Sequence, residues 1–170
     1  ILLSFSNSYI FKQNELIKFK PIHKINFHPA TPKYPGRDIS HFACYNQEKE
    51  FGGTMHSISS KIDNGKIIDI KKFTIREKKP THYTYTSTGH KSIGFLLKKN
   101  INKIINSKIL FKKIKWSKKI YTRKMFLKML LVKNNTSKNS LETIIRSFYT
   151  ANYKSLYKIR KNKKIYLKIN

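Results

Sequence analysis

Asn26 and His28 stand two positions apart in the run Asn26-Phe27-His28-Pro29. On a β-strand that spacing puts both side chains on one face, so an amide donor and an imidazole point into the same space. Asp63 follows His28 by 35 residues and His56 by 7, beyond the next strand-like run. There it can fold back as a carboxylate that orients and charges the imidazole. Such a set supports general acid–base proton transfer beside a hydrogen-bond donor.

The elements that hold these residues can be read in order. Ile1 to Phe5 is an apolar run fit for a parallel strand buried on both faces. Residues 13–19 offer a helix with Asn14 near its start, Pro21 ends it, and Lys24 to Phe27 is the next strand. This β-α-β unit leaves His28 at a strand's carboxyl end, where open α/β sheets bind ligands. Three prolines and Gly36 between Pro29 and Asp38 forbid regular structure and predict a rigid loop lining a pocket. Ile39 to Tyr45 reads as a short helix and Phe51 to Ile58 as a strand, whose Gly52-Gly53 pair either admits a close backbone or bulges. After the Asp63-Asn64-Gly65 turn, Lys66 to Ile75 reads as a second strand. Thr81 can cap a helix running to Ile105, with Ile93, Leu96, Leu97, Ile101, Ile104 and Ile105 as its apolar positions.

Beyond residue 105 the chain is Lys-rich and weakly periodic. Residues 106–139 read as a basic connector, and residues 140–170 as a small module: a helix over Ser140 to Arg146, then a hairpin pairing Tyr157 to Ile159 with Ile165 to Leu167. Trp116 reads as a packing anchor. The fold class expected is α/β, a partial Rossmann-like sheet with flanking helices, plus a small C-terminal α+β module.

Composition limits the function classes. With 170 residues, 39% hydrophobic and 13% aromatic, the chain can bury a real core. The lone Cys44 excludes a disulfide framework and argues against zinc, and no apolar run approaches the ~20 residues of a membrane span. A cytoplasmic protein without a structural metal is expected. The chain opens on Ile1 rather than Met, so its start is expected to lie inside a longer gene. The net charge of +29 invites a nucleic-acid reading, and seven of the eight acidic residues precede residue 78. Ile, Asn and Lys dominate almost every segment, however, and compositional drift of surface positions toward Lys accounts for the charge more simply.

Asn26-x-His28-Pro29, the loop ending Tyr34-Pro35-Gly36, the Gly52-x-Thr54-x-His56 run and Asp63-x-Gly65-x-Ile67-Ile68 occur together in this order. The set resembles the formyltransferase family that uses 10-formyltetrahydrofolate, which includes methionyl-tRNA, glycinamide ribonucleotide and nucleotide-sugar enzymes. The resemblance covers residues 1–105, with a fainter likeness of 144–167 to the closing module of the sugar-modifying branch. It implies that Asn26, His28 and Asp63 are catalytic: the first two bind the oxygen of the tetrahedral adduct, and His28 or Asp63 manages the amine's proton. Formyl transfer to an amine needs one oxyanion stabilised and one proton removed.

The same resemblance sets Ser8, Tyr9 and Ile10 against the folate pterin, an ordinary strand-to-helix turn being the competing reading. His56 joins them on the cofactor side and either bridges His28 or Asp63 or fills its strand. The family's fold carries two or three strands and helices ahead of the segment matching Ile1 to Phe5, so an N-terminally truncated catalytic domain is implied. Residues 29–32 read Pro-Ala-Thr-Pro where many members have Ser-Leu-Leu-Pro, which weakens a tRNA assignment. The short tail favours the amine of a nucleotide-linked amino sugar as acceptor. The alternatives are initiator methionyl-tRNA, and an inactive fragment or cationic RNA-binding module.

Overall fold

The computed structural model describes residues 1–7, 9–18, 23–150 and 156–167. Strand β1 (Leu2–Phe5), helix α1 (Gln13–Lys18) and strand β2 (Lys24–His28) form the expected β-α-β unit, with β1 and β2 parallel. The expected helix end at Pro21 lies outside the described residues. Helix α2 (Ile39–Tyr45) follows as expected, and β3 (Glu50–Ser57) and β4 (Ile67–Thr74) continue the sheet antiparallel, in the order β1-β2-β3-β4. β1 is not buried on both faces as its apolar run predicted. It lies at the sheet's margin among the described residues, only partly covered, and Phe5 stacks 4.4 Å from Phe27 while remaining 41% exposed.

Helix α3 (His82–Ile105) lies across the sheet. Thr81 and Thr84 form a reciprocal capping box at its start, which fixes where the helix begins. Ile93, Leu96 and Ile104 pack against Ile25, Phe27, Met55 and Ile68. Each such burial is worth roughly 1.5–3 kcal/mol, enough to hold the helix down. Ile105, expected on this face, is 62% exposed because it lies about 100° around the helix from the buried Ile104. The paired glycines of β3 serve close approach: a Cβ on Gly53 would lie 2.6 Å from Ile93 Cγ2, and one on Gly52 1.8 Å from the Lys71 carbonyl. The register irregularity falls instead between Met55 and His56.

A second core joins the two halves of the chain. Tyr34, Phe42, Phe51 and Tyr85 share it with Tyr121, Phe126, Val132, Phe148 and Leu156. Residues 106–139, expected as a connector, thus contribute core side chains and contain a helix, α4 (Arg123–Met129), capped by Thr122. At seven residues α4 is too short for its period to show among lysines. Helix α5 (Lys138–Phe148) starts earlier than expected, because Ser137 accepts the Ser140 N–H, and also runs further, to Phe148. The final hairpin, β5 (Tyr157–Arg160) with β6 (Lys163–Tyr166), is tighter than expected. Lys161 and Asn162 both take positive φ, the geometry of a two-residue turn matched to strand twist.

Candidate active site

The β2/β3 register sets Asn26 opposite His56 and His28 opposite Thr54. Four polar side chains converge as a result. Asn26 Nδ2 lies 3.0 Å from His56 Nε2, and His56 Nδ1 lies 2.9 Å from the Ser57 carbonyl. A carbonyl can only accept, so His56 carries its proton on Nδ1 and receives the Asn26 amide at Nε2. His28 is fixed in the opposite sense: Nε2 donates to the Tyr34 carbonyl at 2.8 Å, which turns Nδ1 toward Asp63 Oδ2 at 3.5 Å. Asp63 Oδ1 is 3.5 Å from His56 Nε2, so one carboxylate faces both imidazoles.

Asp63 is held from the backbone side as well. Its Oδ2 accepts the Gly36 N–H at 2.7 Å, and its own φ of 37° belongs to the left-handed region that Asp tolerates in turns. Gly36 can present that N–H only as glycine. Its φ is 107°, and a Cβ there would lie 2.0 Å from the Tyr121 carbonyl, against which it forms a parallel bridge.

The electrostatics follow from burial and neighbours. Burial pushes the His28 imidazole below its ordinary value. The negative charge of Asp63 and the bond to Tyr34 oppose this, and His56 adds to it. Burial works to raise Asp63, but the His56 contact, the charge of His28 and the Gly36 N–H outweigh it and hold the carboxyl below its usual range. Near neutral pH the site therefore holds an ionised Asp63 beside a neutral His28, whose Nδ1 lone pair faces the carboxylate too far away for a hydrogen bond.

These groups open onto a cavity of about 520 Å³, within the range of small-molecule sites. Tyr9 and Ile10 line it while remaining 53% and 48% exposed, and Ser8 lies outside the described residues. His56, assigned from the resemblance to the cofactor side, sits within the polar cluster itself, bonded to Asn26. Its Nε2 also stands 3.5 Å from Asp63 Oδ1. Asn26 Oδ1 is buried without a hydrogen-bond partner, an acceptor left for a ligand. On the same cavity Asp38 Oδ1 takes a 2.8 Å bond from Arg123, while Arg37 stands 3.7 Å from its Oδ2. Among the described residues no three His, Cys, Asp or Glu are grouped to hold a metal, and no helix is long and apolar enough to cross a membrane.

Sequence reasoning missed the Tyr34 carbonyl, the Gly36 N–H and Arg123. The first two are backbone groups that residue type does not advertise, although Gly36 itself was a visible signal. Arg123 lies far along the chain within a basic run.

No protein-family model matches the chain. Among curated proteins it is 29% identical over 110 residues to the bifunctional polymyxin resistance protein ArnA of Wigglesworthia glossinidia brevipalpis, covering 64% of this chain. The chain spans only 16% of that relative's length. A sugar N-formyltransferase from a Shewanella species shares the fold at a TM-score of 0.82 and 19% identity, over 98% of this chain and 68% of that one. An N-formyltransferase from Helicobacter canadensis, solved with folinic acid and dTDP-3-aminofucose, superposes at 0.72 with 30% identity, over 96% of this chain and 59% of that one. The chain thus shares its fold, over nearly its whole length, with solved formyltransferases, and it resembles them in sequence at up to 30% identity.

Proposed function

We propose that the protein transfers a formyl group from 10-formyltetrahydrofolate to the primary amine of a nucleotide-linked amino sugar. The observation that carries this is the convergence of Asn26, His28, His56 and Asp63 on one cavity wall, with an ionised carboxylate beside a neutral imidazole. The Helicobacter canadensis relative, solved with a folate and an amino-sugar nucleotide, supports the substrate pair. The cavity wall carries groups suited to such ligands. Its rim carries the exposed Tyr9 and Ile10 for a flat ring, Arg37 and Arg123 for a diphosphate, and the unpartnered Asn26 Oδ1 for an amine N–H.

The donor supplies an electrophilic formyl carbon on nitrogen and departs as tetrahydrofolate. Asn26 Oδ1 orients the acceptor amine by taking one of its protons in a hydrogen bond. As the amine nitrogen bonds to the formyl carbon, charge develops on the formyl oxygen, and the second Asn26 amide N–H, not used by His56, is the donor for it. His28 Nδ1 accepts the proton that the nitrogen must lose, and Asp63 stabilises the imidazolium so formed. The same proton returns to the departing nitrogen when the original C–N bond breaks, leaving a formamide and a free folate amine. A reducing cytoplasm suits such a reaction and the buried Cys44 thiol.

The initiator-tRNA and RNA-binding readings rest on the basic second half alone, and its lysines are partly committed within the fold. Lys112 pairs with Asp69 and Lys119 lies over the Tyr121 ring. To test the proposal, tetrahydrofolate release by the full-length gene product is measured with a nucleotide-linked amino sugar and with charged initiator tRNA, with and without His28→Ala. Release with the sugar, reduced by more than about 100-fold in the variant, supports the reading. Formylation of tRNA alone, or an unaffected variant, overturns it.

A further inference from the structure

Trp116 is the one tryptophan of the chain, and it lies in the segment read as a connector. Its indole N–H donates to the Gly65 carbonyl at 2.8 Å, two residues past Asp63. Its ring meets both site imidazoles edge-on, with centroids 4.9 Å from His56 at 82° and 5.7 Å from His28 at 71°. One side chain therefore touches both histidines and anchors the turn that carries the carboxylate.

The backbone around Trp116 is pinned on both sides. Before it, the Lys112 N–H bonds the Ile67 carbonyl at the start of β4, and the Lys112 ammonium bonds Asp69. After it, the Ser117 N–H bonds the Pro32 carbonyl, the Tyr121 N–H bonds the Pro35 carbonyl, and the Arg37 N–H returns to the Tyr121 carbonyl. Residues 112–121 thus form a strap from β4 to the proline-rich loop, with Trp116 against the two site histidines. A strap tied at this many points can hold an aromatic edge against two rings without a helix or strand of its own.

The geometry points to Trp116 as a positioning residue for the reaction proposed above, keeping His28 and His56 in their observed rotamers and tautomers and shielding them from water. It touches no reacting atom. Its contribution is the sub-ångström placement on which orientation effects depend. Water admitted at this wall would relieve the desolvation that keeps His28 neutral, and the titratable groups facing His28 are Asp63 and His56.

A test independent of substrate uses the lone indole as reporter. A protonated imidazole in contact with an indole quenches its fluorescence, so emission of the folded protein should fall in a step as pH drops from about 8 to about 4, below the ordinary histidine value. His28→Gln and His56→Gln should each change that step, with circular dichroism following the fold. Histidine NMR titrations of Trp116→Leu and Trp116→Phe complete the experiment. The Leu variant should move the His28 titration upward and lose its single tautomer, and the Phe variant should restore part of both. In the full-length enzyme, Trp116→Leu should lower kcat by roughly 10- to 100-fold with the acceptor KM unchanged, and shift the acid limb of the pH profile upward.

Fluorescence indifferent to both histidine variants overturns the proposal, as does a folded Leu variant whose His28 titrates like the wild type. Should the Leu variant not fold, the wild-type fluorescence and the Phe variant decide. A wild type that formylates no amine removes the formyltransferase reading and leaves the histidine result standing.

Discussion

His28 and Asp63 face each other at 3.5 Å while the opposite nitrogen of His28 is committed to the Tyr34 carbonyl. The imidazole can therefore take up a proton only on the side of the carboxylate. Asp63 raises the proton affinity of His28 against the burial that lowers it, so the two residues act as one proton acceptor.

This relationship predicts a pH profile. His28 titrates below its ordinary 6.5, so the base form and the activity are fully present above that value and are lost as pH falls through the lowered one. Asp63→Asn should cut kcat by roughly 10²- to 10⁴-fold. It should also move the remaining acid limb to still lower pH, since the charge that raises the His28 value is gone. An acid limb that moves up, or a loss below about 10-fold, would contradict the pairing.

Asp69 is buried on β4 and accepts from Lys112 at 2.6 Å, Lys99 at 2.8 Å and Asn100 at 3.2 Å, tying the strap and α3 to the sheet. Burial opposes its ionisation, yet these donors hold the carboxyl far below its usual range. The resulting stability is present above the ordinary Asp value of 3.8 and lost as pH falls through the lowered one. Because Lys99 and Lys112 remain about half exposed, they rehydrate when the charge is removed. Asp69→Asn should thus cost only about 1–2 kcal/mol, with Tm falling by roughly 2–4 °C per kcal/mol. Calorimetry at neutral pH and at about pH 3 measures both effects, and the difference between variant and wild type should shrink in acid.

His41 and His82 stack at 4.2 Å and bond the Ser147 and Tyr149 carbonyls at the end of α5. Burial, then the neighbouring His41, pushes His82 down to about 4. A histidine whose folded value is depressed resists a proton that the unfolded chain accepts. Stability is therefore full above pH 6.5 and declines below it, by about 2 kcal/mol at about pH 5 from this residue. Denaturant midpoints should show that decline, and His82→Gln should flatten it.

Arg123 reaches the cavity from α4, held by Asp38. In the proposed reaction it meets the acceptor's diphosphate, distant from the reacting carbon. Arg123→Gln should raise the acceptor KM by about 10-fold, the loss of one charge-assisted contact, with kcat nearly unchanged. An equal fall in kcat would place Arg123 in the chemical step instead.

The sequence alone determined that Asn26 and His28 share a strand face, that Asp63 follows a turn able to return it to them, and that Thr81 opens a long covering helix. Each is local: side chains alternate along a strand, Asp-Asn-Gly turns tightly, and a capping threonine marks where helical bonding starts. Tertiary structure alone decided that His56 bonds Asn26, because strand register selects the pairing and a slip of one residue would send His56 to the other face. It also decided that the Tyr34 carbonyl sets the His28 tautomer, and that Trp116, 88 residues beyond His28, packs against both imidazoles. Those contacts run through backbone atoms and a strap without periodicity, and only closure of the chain on itself brings them together.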